Sequence, residues 1–379
     1  MEQIIFNWVE KIKAHIKGRT QDHPLHTLAY VADGANWVID SEGGYITRGV
    51  KSEFDLKYRI LVGTEGLSFL RHQIVHFGSQ HLFTNGGYRP VHSSNRIVVT
   101  FFHGDARDPD FAPAVAVFRR EIGRVSRVIV SCRIMEKRIA EWGIPPEKVI
   151  RVPIGVDLQV FRPLSLELRQ AMRAQLGIGR EQVVIGSFQK DGVGFAEGFE
   201  PKLIKGPDVF LQVIGCLRRQ APIFVLLTGP ARGYVCRGLE QMGVPYKHIL
   251  LNSYVAVAPY YHALDLYLVT SREEGGPKGV MESMATGVPL VSTRVGMAAD
   301  LIQDGVNGFL CDIEDVEALT ARALQVIGNG DVRERFRSNG YRSVEDCDFG
   351  VVARRHYEEV YRPLLSEIEQ ATTKAGLIK

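Results

Sequence analysis

Two carboxylates, Glu274 and Glu282, stand eight positions apart and bracket a stretch with Gly275, Gly276, Pro277, Lys278, Gly279 and Val280 between them. A β-rich run from Leu264 to Thr270 precedes this stretch, and its glycines and proline forbid an immediate helix. A helix is expected over Val280 to Thr286, stopped by Gly287 and Pro289, with the next strand at Leu290-Val291-Ser292. A strand, a glycine-rich loop and a helix start make an anion cradle, because the N–H groups at the helix N-terminus accept a phosphate without side-chain charge. Glu274 and Glu282 then face the two ends of a ligand whose phosphates lie between them. Carboxylates suit sugar hydroxyls, each being a strong acceptor of two hydrogen bonds. The spacing alone is equally compatible with a solvated helix face, and the glycines and Pro289 are what separate the two readings.

A second candidate is His103, which follows the apolar run Arg96 to Phe102. In open parallel sheets ligands collect at the carboxyl ends of strands, and a histidine there is either structural or a ligand contact.

Such side chains need a scaffold, and the chain provides an alternating one. Strands are expected at His26 to Ala32, Gln73 to Phe77, Arg96 to Phe102, Arg127 to Ser131 and Val149 to Val152, with helices at Ala114 to Ile122 and up to Trp142. The turn-rich segment Pro153 to Pro163 closes this half, placing a linker at about 155 to 170. A second series follows: strand Val183 to Ser187, a polar insertion from Gln189 to Lys205, helix Pro207 to Arg218, and strand Ile223 to Thr228, which ends in Gly229-Pro230. Helix Gly233 to Met242, a short strand at His248 to Asn252, and a strand and helix at Asn307 to Leu310 and Glu314 to Ile327 complete it. The expected fold is therefore α/β: two doubly wound Rossmann-like domains facing each other across a cleft. The expected limits are 1–160 and 166–345, with a C-terminal helix, 349–379, packing back on the first domain.

Composition bounds the partners. The 379 residues are 45% hydrophobic and 23% charged with a net charge of +3, so nothing calls for nucleic-acid binding. Five widely spaced cysteines form no metal-ligand pattern and read as reduced thiols of a cytoplasmic protein. No apolar run approaches the roughly 20 residues that span a bilayer. Ile5, Trp8, Val9, Ile12 and Ile16 form an apolar stripe flanked by Lys11, Lys13, Lys17 and Arg19. Docking on the protein itself is its plain reading, and peripheral membrane contact is left open.

Several segments in order resemble retaining glycosyltransferases of the GT-B fold, family 4 (group 1). They are Thr100-Phe101-Phe102-His103-Gly104; Val130-Ser131 with Gly143-Ile144-Pro145 and Pro153-Ile154-Gly155-Val156-Asp157; Lys205-Gly206-Pro207-Asp208; and Glu274 to Pro289. The resemblance implies a metal-independent hexosyltransferase that takes a nucleotide diphosphate sugar as co-substrate, with no other cofactor, and an unknown acceptor. It implies catalytic roles for His103, Lys205 and Glu274. It further implies donor contacts from Lys190, Gly229, Glu274, Gly275, Gly276, Pro277, Lys278, Gly279, Val280 and Glu282, with Lys205 and Lys278 as the candidate phosphate cations. A nucleotide-sugar-binding protein without transferase activity, and an epimerase or hydrolase on the same plan, are the alternatives. The pattern departs from the family at Ser187, where an arginine is usual; Lys190 is the candidate replacement, or the insertion reshapes the phosphate site. Asp108-Pro109-Asp110 mimics the metal-binding D-x-D of a different fold and is expected to be coincidence.

Overall fold

The computed structural model describes residues 27–34, 38–163, 166–194 and 196–375. The amphipathic stripe from Ile5 to Arg19 and the turn residues Asn36 and Trp37 lie outside them.

The first sheet holds β1 (Thr27–Ala32), β2 (Lys57–Val62), β3 (Ile74–Phe77), β4 (Arg96–Thr100), β5 (Val125–Val130) and β6 (Val149–Arg151). Its order is β2-β1-β3-β4-β5-β6 and every pairing is parallel. The second holds β7 (Val183–Phe188), β8 (Ile223–Thr228), β9 (Tyr246–Ile249), β10 (Leu266–Val269), β11 (Leu290–Thr293) and β12 (Phe309–Cys311). Here the order is β12-β11-β10-β7-β8-β9, again parallel throughout. Parallel strands covered by helices on both faces must be apolar throughout, and β1, β3, β8, β10 and β11 are buried along their whole length. Read from β9 to β12, the second sheet has the classic dinucleotide-binding order, with its direction reversing between β7 and β10. A crevice opens at the carboxyl ends of the strands at such a reversal.

The lobes are packed together and not merely tethered. One apolar cluster runs from Ala29, Phe77 and Phe101 through Ile154, Val156 and Phe161 into Tyr261, Tyr267, Met281 and Met284. The chain crosses between lobes twice, and the two crossings bond to each other: Val156 donates to the Cys347 carbonyl at 2.8 Å and Phe349 to the Val156 carbonyl at 3.1 Å. After the second crossing the C-terminal helices, Phe349–Arg355 and Arg362–Lys374, and the wider helical turn His356–Tyr361 that joins them bury Val352, Val360, Leu364 and Ile368 against Leu28, Ile74 and Val98 of the first sheet. Glu367 ties that layer down through Arg96 at 3.1 Å and Arg127 at 3.3 Å. Among the described residues no helix is long and apolar enough to cross a membrane.

Candidate active site

The segments after β7 and β10 flank the reversal of the second sheet, and the glycine-rich loop follows β10. The helix behind it spans Lys278–Thr286, two residues longer at its start than the sequence suggests, because Pro277 takes the N-cap position. All nine of its residues are buried.

Lys205 ends a short 3-10 turn, Leu203–Lys205, and its Nζ lies 2.6 Å from Glu274 Oε2. The other oxygen of Glu274 accepts from the Ser271 hydroxyl at 3.0 Å. A cation and a carboxylate thus stand together at the mouth of the loop. Burial lowers the Lys190 pKa, and burial together with Lys205 and Lys190 lowers that of Lys202, with Glu274 opposing. Lys190, Lys202 and Lys205 therefore form one electropositive group. Gly229 follows β8 against the Gln189–Lys190 backbone, its carbonyl accepting from His248 Nε2 at 2.6 Å if that nitrogen carries the proton.

Glu282 lies deeper, 4% exposed, with the Tyr261 hydroxyl donating to Oε2 at 2.6 Å. Burial raises its pKa, while Tyr261, Lys278 and Tyr254 pull it back.

The opposite wall comes from the first lobe. His103 follows β4, its ring edge-on to Phe111 at 5.2 Å. Gln80 fixes its loop by donating to the His103 carbonyl at 3.0 Å and accepting from the Phe102 N–H at 3.1 Å. The buried Nδ1 of His103 has no hydrogen-bond partner among the described residues. Burial, then Lys205, His81, Lys202 and Arg138, push its pKa down to about 3, so the imidazole is neutral at every physiological pH.

The walls touch at the glycine loop. Ser131 donates to the Gly275 carbonyl at 3.0 Å, and a Cβ on Gly275 would come 2.3 Å from the Phe102 carbonyl oxygen, so only glycine permits this approach. Glu273, which sequence reasoning missed, grips Arg138 through both carboxylate oxygens at 2.6 and 3.1 Å and accepts from the Gly104 N–H at 3.1 Å. It adjoins Glu274, but nothing local in the sequence reveals that its partners lie in the other lobe.

One residue lies apart from this cluster. The ammonium of Lys278, expected at the phosphates, turns to Glu42 Oε1 at 2.6 Å and donates to the Gly155 carbonyl at 3.1 Å, between the rings of Tyr254 and Phe349. The pair is 8% and 5% exposed. A buried carboxylate on the first lobe captures this lysine, whereas Lys205 stands at Glu274 in the crevice. Asp108 accepts from the Asp110 N–H at 2.9 Å, a turn contact local to its own loop.

Two Rossmann-like sheets with a lysine, a carboxylate and a glycine loop at the second sheet's reversal define the class to which this chain belongs. It is a member of the group 1, family 4 glycosyltransferases, of GT-B fold. Residues 190–329 match the family described as "Glycosyl transferases group 1", and residues 52–160 match "Glycosyltransferase Family 4". Among curated relatives, a D-inositol 3-phosphate glycosyltransferase of Segniliparus rotundus is 27% identical over 300 residues, 71% of this chain and 61% of the relative. A GDP-mannose-dependent alpha-(1-6)-phosphatidylinositol monomannoside mannosyltransferase of Mycolicibacterium smegmatis is 27% identical over 239 residues, 59% of each chain. The matches thus span less than two thirds of these relatives' length. Among solved structures, sucrose-phosphate synthase of Thermosynechococcus elongatus superposes with a TM-score of 0.72 at 15% identity, covering 90% of this chain and 100% of that one. Anabaena HepE in complex with UDP and glucose gives 0.70 at 15% identity, covering 89% and 99%. At this identity the structural likeness speaks for the fold alone.

Proposed function

We propose that the chain is a retaining glycosyltransferase that binds a nucleoside diphosphate sugar mainly through its second lobe and passes the sugar to an acceptor hydroxyl in the cleft. The observation that carries this reading is the Lys205–Glu274 pair at the crevice of the second sheet, opposite the neutral His103. A diphosphate leaving group gains negative charge as its bond to the sugar breaks, and a fixed ammonium there stabilises the transition state more than the ground state. Lys205 takes that role, with Lys190, Gly229 and the amides of the loop from Gly275 to Val280 around the phosphates.

Glu274 accepts from sugar hydroxyls while Lys205 and Ser271 hold its orientation. Glu282 bonds the ribose. His103, uncharged and with Nδ1 unengaged, contacts the transferred sugar from the first lobe. Both glutamates grip hydroxyls in this scheme, so neither serves as a covalent nucleophile, and retention comes from attack on the face that the diphosphate leaves. The departing phosphate takes the acceptor's proton. The scheme assigns no step to a metal ion or further cofactor, and the free cysteines fit a reducing, cytoplasmic setting.

The names of relatives and of a solved UDP-glucose complex of Anabaena HepE suggest where to begin: GDP-mannose, UDP-glucose and related donors, with inositol phosphates and phosphatidylinositol glycans as acceptors. Thermal shift against a panel of nucleotide sugars, followed by nucleotide release with and without these acceptors, tests the reading. Stabilisation by at least one donor and acceptor-dependent release are expected. Failure of every donor to shift the melting temperature would overturn it.

A further inference from the structure

The corner at Ser187 holds an arginine after all, though not one available to a ligand. Arg232, wholly buried, directs Nη1 to the carbonyls of Ser187, Gln189 and Thr228 at 2.6, 2.9 and 3.0 Å, and Nη2 to the Ser187 hydroxyl at 3.1 Å. Its Nε lies 2.9 Å from Asp191 Oδ1, on a carboxylate that is itself buried. Committed to these protein partners, the guanidinium anchors the base of the inserted segment instead of meeting phosphates.

The described residues of that segment, 191–194 and 196–202, form a built element. Gly192 and Pro201 form an antiparallel bridge, Val193 donates to the Glu200 carbonyl at 2.9 Å, and Lys202 donates to the Asp191 carbonyl at 2.7 Å. Its tip is fastened to the start of the Gly233–Met242 helix, where Gly233 donates to Glu197 at 2.7 Å and Tyr234 to Gly198 at 2.9 Å. Gly198 has φ +75°, and a Cβ there would stand 2.4 Å from the Ala231 carbonyl, so the hairpin lies directly on the β8 loop. The return arm ends at Lys202, whose carbonyl accepts from the Lys205 N–H at 2.8 Å.

The hairpin therefore brings Lys202 next to Lys205 and close to Lys190. Lys202 is half-buried and makes no ion pair among the described residues, and its charge is felt by His81 and His103 of the opposite lobe. Lys202 and Lys205, two partly buried ammonium groups beside Glu274, repel one another, and an anion joining them relieves that repulsion.

We propose that Lys202 is a phosphate-binding residue, carried to the crevice by the 191–202 hairpin and held there by the buried Arg232–Asp191 pair, and that it contributes to the diphosphate site the charge missing at Ser187. The proposal rests on the donor-binding reading above and adds to it the residue that distinguishes this chain's phosphate site.

The test is calorimetric titration of the full chain with UDP, GDP, ADP and dTDP, and with the monophosphate of whichever nucleotide binds. Lys202→Met should weaken diphosphate binding about tenfold or more, the scale of a hydrogen bond to a charged group. It should weaken monophosphate binding less, flatten the salt dependence of diphosphate binding, and be largely rescued by Lys202→Arg. If the parent binds a diphosphate and Lys202→Met binds it equally well, the lysine assignment is overturned and the donor reading stands. If the parent binds none of the four, both are overturned.

Discussion

Lys205 Nζ and Glu274 Oε2 lie 2.6 Å apart, one placed before the Pro207–Leu217 helix and the other after β10, so that each holds the other in place before any ligand arrives. A cation fixed in advance costs no reorganisation when charge develops on a leaving group. Lys205→Ala should therefore lower kcat by about a hundredfold or more while changing donor affinity much less. Steady-state kinetics with parallel donor titration decide it, and equal turnover of mutant and parent would move the role to Lys190 or Lys202.

Glu282 is buried, its Oε2 bonded by Tyr261. Glu282→Gln keeps shape and acceptor oxygen but loses charge, so nucleotide binding should weaken by about 1 to 3 kcal/mol. The melting temperature should hold or rise, because burial already opposes the ionised form. Unchanged nucleotide affinity by calorimetry would remove Glu282 from the ribose.

The glycine loop, the helix behind it and the strand ending before His103 were legible because their signals are local. Edge strand β2, Lys57–Val62, carries no such signal, since Lys57, Arg59, Ile60 and Val62 lie at or near the surface and interrupt the continuous apolar run of a buried strand. The Val38–Phe54 helix is masked by Gly43, Gly44 and Gly49, poor helix formers, of which Gly43 lets the Tyr30 ring approach. The Gly330–Ser343 helix likewise carries glycines and few apolar residues. In the site, Arg232 at Ser187, Glu42 at Lys278 and Arg138 at Glu273 are contacts between residues 45, 236 and 135 positions apart. No spacing rule reaches that far.

The Lys278–Glu42 pair gives a prediction on stability. Removing one member of a buried ion pair strands the other charge, so Lys278→Met alone should cost about 3 to 5 kcal/mol. The double variant Lys278→Met with Glu42→Leu should recover most of that loss. Denaturant unfolding of all four proteins measures the coupling, and strictly additive losses would show that the pair does not act as a unit.

Burial holds His103 near a pKa of about 3 and His262 and His356 near about 4, against an ordinary value of 6.5. The sign follows from proton uptake: below pH 6.5 the unfolded chain binds protons that the folded chain refuses. These groups therefore leave stability intact above pH 6.5 and withdraw it progressively as pH falls toward 4. NMR titration of the ring Cε1–Hε1 signals, with His103→Gln to assign one of them, should show no midpoint for these three between pH 8 and 5. A His103 midpoint near 6.5 would mean that the ring is open to water and not part of the closed cleft.

The most direct test of the proposed activity is the stereochemistry of transfer. With a donor identified by thermal shift and an acceptor by nucleotide release, the product anomers should be assigned by NMR from reactions run in excess chelator. If Lys205, neighbouring amides and the departing phosphate carry the chemistry, transfer proceeds under those conditions and the sugar keeps the donor's configuration. An inverted product, or activity that vanishes in chelator and returns with a divalent ion, would contradict it.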